Sequence, residues 1–61
     1  MVPEIWIKSF DQYMIKFFGV NHIDLGADED ELAYYSNLEP KEAALAYGDD
    51  YDLSRVDAGW R

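Results

Sequence analysis

Tyr34, Tyr35, Tyr47 and Tyr51 are interleaved with Glu31, Glu42, Asp49, Asp50 and Asp52 in the second half of this 61-residue chain. Tyrosine carries an apolar ring with a polar tip and is enriched among the residues that dominate protein–protein affinity. An acidic rim around such rings attracts and orients a basic partner. At helical spacing Tyr35 and Tyr47 fall on the core side. Tyr34 and Tyr51 are therefore the expected partner-binding anchors, with Glu31, Asp49, Asp50 and Asp52 as their acidic surround.

Other residues with chemical potential point to less. His22 is the one histidine, and a histidine can act as a general base. Its nucleophile would have to be Ser9, Ser36 or Ser54, and none of these sits in a recognisable strained elbow. A chain this short also has little volume for a substrate pocket of about 300–1,000 Å³. We expect no catalytic residues, with His22 serving as a surface or loop anchor. The run Asp24-Leu25-Gly26-Ala27-Asp28-Glu29-Asp30-Glu31 looks like half of a calcium loop. Counted from Asp24, however, the sixth position holds Glu29 where the sharp turn needs glycine, and the twelfth holds Tyr35 where calcium needs a bidentate glutamate. These acids read better as the N-terminus of a helix, so no metal and no cofactor is expected.

Charge narrows the partner class. Thirteen acidic residues against five basic ones give a net charge of −8. Residues 1–20 are neutral, with Glu4 and Asp11 balanced by Lys8 and Lys16, so all of the −8 falls in residues 21–61. Direct nucleic-acid binding needs a basic footprint and is not expected. The carboxylates could instead imitate a phosphate backbone, which makes a DNA-mimicking inhibitor of a nucleic-acid-binding protein the alternative function. Absence of cysteine rules out disulfides and thiolate zinc sites. A hydrophobic content of 49% with 16% aromatics is enough to build a core, which argues against disorder.

The first residues lack the basic-then-apolar pattern of a signal peptide, and no stretch approaches the ~20 apolar residues that span a bilayer. A membrane-surface role is disfavoured by the overall negative charge. The expectation is a cytoplasmic chain. In size, acidity and tyrosine-rich helices it resembles, in general character, small accessory proteins of bacterial plasmids and phages, with no motif that carries functional residues across.

The elements that must position these residues are helical. Residues 1–61 are expected to form a single small acidic all-α domain of three helices, with a C-terminal arm or short helical turn. In residues 4–18, at about 100° per residue, Tyr13, Trp6, Phe17, Phe10, Met14, Ile7 and Phe18 fall in one arc of about 140°. Ile5 and Ile15 are left on the polar side. Pro3 suits the first turn and Gly19 a left-handed cap. Val20–Gly26 reads as a connector pinned by Val20, Ile23 and Leu25. Asp28 and Glu31 have the form of a capping box for a short helix over residues 27–36. Pro40 opens a third helix whose alanines allow close approach to the first, with Gly48 as its cap and Asp49-Asp50 as the turn after it. Leu53, Val56 and Trp60 are expected to close the core, with Trp60 docked.

A domain this small without disulfides or metal often stabilises by self-association. The neutral residues 4–20, where the bulky apolar side chains are concentrated, are the place for a homodimer seam. The function expected from all of this is a non-catalytic acidic interaction module for a basic protein partner.

Overall fold

The computed structural model describes residues 2–56. It is all-α, with four helices among those residues: α1 (Glu4–Phe18), α2 (His22–Leu25), α3 (Glu29–Tyr35) and α4 (Pro40–Asp50). Trp60 lies outside the described residues.

Helix α1 forms where the apolar arc places it. Pro3 is its extended N-cap, one position before the first turn, and its carbonyl accepts from the Ile7 N–H. Gly19 ends the helix at φ +78°, and its N–H reaches the Met14 and Ile15 carbonyls. A left-handed residue here favours glycine, which has no Cβ to strain. Phe10, Met14, Phe17 and Phe18 are buried, and Trp6, Ile7 and Tyr13 pack around them. Ile5 and Ile15 stand in solvent, on the face the sequence assigned to polar residues.

Helix α4 is the main partner of α1. Ala43 and Ala44 are fully buried in the interface and Tyr47 almost so. Small side chains let the two backbones approach, which is how a helix of alanines complements one of aromatics.

Gly48 is not the cap expected from the sequence. It sits inside α4, which runs on to Asp50 and is capped by Tyr51. A Cβ at Gly48 would place all three outer carbons of the Phe18 ring at 2.6 Å or closer. The glycine is required by the ring, not by a turn. The turn expected at Asp49-Asp50 accordingly shifts to Tyr51-Asp52, where Asp52 takes φ +57°.

The stretch expected as a connector contains α2. Asn21 accepts from the Asp24 N–H at 2.9 Å, and the Asp24 carboxylate accepts from the Asn21 N–H, so the two form a reciprocal capping box. Gly26 closes the turn at φ +73°. Val20 and Leu25 pack against the core as expected, but Ile23 points outward and is 73% exposed. Asp28 caps α3 by accepting from the Glu31 N–H at 2.9 Å. Glu31 does not reach back to complete a box; its carboxylate lies beside the Tyr47 hydroxyl.

The chain then returns to α1. The Val56 N–H donates to the Phe17 carbonyl at 2.7 Å, and Leu53 is half-buried. The Val56 side chain is exposed and does not close the core as expected. Residues 53–56 form no helix.

Candidate functional site

The tyrosines are connected through their rings. Tyr34 meets Tyr35 edge-on at 5.0 Å, Tyr35 tilts against Tyr47 at 5.2 Å, and Tyr47 stacks on Tyr51 at 4.5 Å with the planes 12° apart. Tyr47 also meets Phe10 edge-on, and Phe10 stacks on Trp6, so the row is continuous with the core of α1. The middle of the row is buried and its ends are not. Tyr35 and Tyr47 are 5% and 1% exposed, whereas Tyr34 and Tyr51 are 73% and 50% exposed. Aromatic pairs of this geometry contribute about 0.5–1.5 kcal/mol beyond their burial. The exposed rings therefore stand on a fixed base.

Carboxylates hold that base. The Tyr35 hydroxyl donates to Asp50 Oδ2 at 2.5 Å, tying α3 to α4. Burial, followed by the Asp50 hydrogen bond, pushes the Tyr35 phenol far above its usual value. Burial also raises the Tyr47 phenol, helped by Glu31 as neighbouring charge and hydrogen-bond acceptor and by Asp28. Both phenols are thus neutral donors facing acids.

The acidic surround divides between two faces. Asp50 lines a cleft of about 310 Å³ at the α3–α4 seam with Tyr34, Tyr35, Asn37, Leu38 and Ala46. Asp49, one residue earlier and so about 100° around the helix, lines a different cleft of about 350 Å³ with Phe18, Leu45 and Arg55. Arg55 lies over the Phe17 ring at 4.7 Å. Glu31 is half-buried near Tyr47, and Asp52 is exposed in the turn beside Tyr51. Tyr34, Tyr35 and Asp50 are brought into one cleft, Tyr51 is joined to them through Tyr47, and Asp49 is turned away.

The remaining chemical candidates have structural occupations. Asp11 on α1 accepts from both the His22 backbone N–H at 2.9 Å and His22 Nδ1 at 2.7 Å, which pins the start of α2. The Ser36 hydroxyl donates to the Ala33 carbonyl at the end of α3. Asp24 and Asp28 are capping groups. Among the described residues no group of three or more His, Asp or Glu side chains is placed to hold a metal ion, and no helix is long and apolar enough to cross a membrane.

Sequence reasoning missed two anchors of the cleft. Asp50 was counted as a rim acid, whereas it is also the acceptor that fixes Tyr35. The other is Leu38, whose carbonyl accepts from Trp6 Nε1 at 3.1 Å and joins the α3–α4 loop to α1. A buried-side tryptophan needing an acceptor was the available signal, but nothing in the spacing pointed to Leu38. No family model matches this chain, and neither a curated protein nor a solved structure does.

Proposed function

We propose that the protein is a non-catalytic acidic interaction module that binds a basic protein surface. One observation carries the reading: two exposed tyrosine rings, Tyr34 and Tyr51, form the ends of an aromatic row whose middle is buried and held by carboxylates. An exposed ring on a fixed support loses little freedom on binding, which is the property of an interface anchor. The net charge of −8 supplies long-range attraction for a basic partner. Among the described residues, His22 holds the start of α2 on Asp11 and the Ser36 hydroxyl closes the end of α3, so both polar side chains serve the scaffold that carries the rings.

The test is retention of partners from a lysate on tagged protein at low and high salt, with Tyr34→Ala and Tyr51→Ala beside wild type. A stoichiometric partner that survives high salt and is lost with either tyrosine supports the module. A nucleic-acid-binding partner that is released by salt and displaced by DNA, with both tyrosine variants unaffected, overturns it in favour of DNA mimicry, because phosphate-like contacts are many, weak and salt-sensitive.

A further inference from the structure

The cleft at the α3–α4 seam has a chemistry more specific than a negative surface. Its volume of about 310 Å³ is at the bottom of the range for small-molecule sites, about 300–1,000 Å³, and suits one inserted side chain. Its walls come in three kinds. Tyr34 offers a largely exposed ring set edge-on to Tyr35. Leu38 and Ala46 offer apolar surface, and Leu38 is itself partly exposed. Asp50 offers a carboxylate whose Oδ2 is occupied by the Tyr35 hydroxyl, which fixes the plane of the group and leaves Oδ1 to accept.

We infer that this cleft receives a single arginine side chain from the basic partner, a step that rests on the module reading above. The methylene stem of an arginine would cover Leu38 and Ala46. Its guanidinium plane would stack on the Tyr34 ring while its N–H groups donate to Asp50. A planar, weakly hydrated, multiply donating cation fits a ring beside an oriented carboxylate. A lysine ammonium is a compact, strongly hydrated point charge and gains less from stacking. The net charge of −8 makes the occupant's sign complementary, and Asn37 at the rim can accept a further donor through its side-chain oxygen.

The test is a titration of ¹⁵N-labelled protein with a peptide of alternating arginine and glycine, and with the same peptide carrying lysine. Amide shifts should concentrate at Tyr34, Tyr35, Asn37, Leu38, Ala46 and Asp50. Arginine should bind about two- to fivefold more tightly than lysine, the range that one exposed cation–π stack supplies. Asp50→Asn keeps an acceptor for Tyr35 and should weaken the binding of both peptides by removing the charge. Tyr34→Ala, at a position so exposed that folding should not depend on it, should abolish the arginine preference. Equal binding of the two peptides with shifts spread over all the acids would overturn the arginine site while leaving the module reading intact. Binding of neither peptide would overturn both.

Discussion

Replacing Gly48 by alanine sets two effects of known sign against each other. In a helix interior alanine is favoured over glycine by about 1 kcal/mol, so an open site would gain stability. At Gly48 the new methyl would enter the space of the Phe18 ring. Phe18 is 8% exposed and rests edge-on against Phe17, so the ring cannot yield without losing packing. Its escape route is the cleft of about 350 Å³ beside it. Moving there exposes a ring whose full burial is worth about 1.5–3 kcal/mol. Overpacking without escape costs about 1–3 kcal/mol. The clash therefore offsets or exceeds the propensity gain, and Gly48→Ala should destabilise by up to about 2 kcal/mol. In a domain of this size each kcal/mol lowers the Tm by about 4–8 °C. Thermal and urea unfolding followed by circular dichroism measure it. The decisive arm is the same substitution in a Phe18→Leu background, where the ring carbons that collide are gone. There Gly48→Ala should change sign and stabilise by up to about 1 kcal/mol. If Gly48→Ala stabilises the wild type, or if the two changes simply add within about 0.5 kcal/mol, the Phe18 ring is not seated on the α4 backbone and the reasoning fails.

The other expectations are simpler. Tyr34→Ala should cost no more than about 1.5 kcal/mol in urea unfolding, the loss of one edge-on contact by a ring that is mostly in solvent, while reducing partner affinity in a binding assay. Asp28→Ala removes the α3 cap and should cost about 1 kcal/mol in the same unfolding experiment. Asp11→Ala frees two His22 donors at once and should cost about 1–2 kcal/mol, with increased amide exchange in residues 22–25. The Tyr35 phenol is raised by burial and by Asp50, so the folded state disfavours its ionised form. Its stabilising contribution should be intact below the unfolded tyrosine value of about 10 and decline as pH rises above it. Tyr35→Phe should start less stable at neutral pH and lose less on going alkaline; an equal alkaline loss would remove Tyr35 from the account.

The aromatic arc of α1 was legible because a period of about 3.6 residues is a local property of the chain. Gly19 and Pro40 were legible as helix boundaries for the same reason, and Asp28 as a cap. Gly48 was misread because a glycine after an apolar helix has two explanations, a left-handed cap or a close approach. Only the position of Phe18, 30 residues away in sequence, distinguishes them. Helix α2 escaped because a single turn has no periodicity to show, and its capping box joins Asn21 to Asp24 with no apolar run behind it. Ile23 was assigned inward on hydrophobicity alone, but the turn that His22 fixes on Asp11 directs it outward. At the site, tyrosine exposure followed from helical phase. The separation of Asp49 from Asp50 did not, because the sequence placed both in a turn and the structure places both on a helix, where neighbours face different ways.

The unequal attachment of the helices has a consequence for how the cleft behaves. Helix α4 is clamped along α1, whereas α3 has far fewer close approaches to α4 and depends on Leu32, Tyr35 and the Tyr35–Asp50 bond. One wall of the cleft thus belongs to the most protected unit of the molecule and the other to a unit that can open by itself. Native-state hydrogen exchange should divide accordingly, with α1 and α4 exchanging only through global unfolding and α3 through a cheaper local event. An occupant that bridges the two walls would then be registered chiefly as slowed exchange in α3, because it adds a tie between that helix and α4.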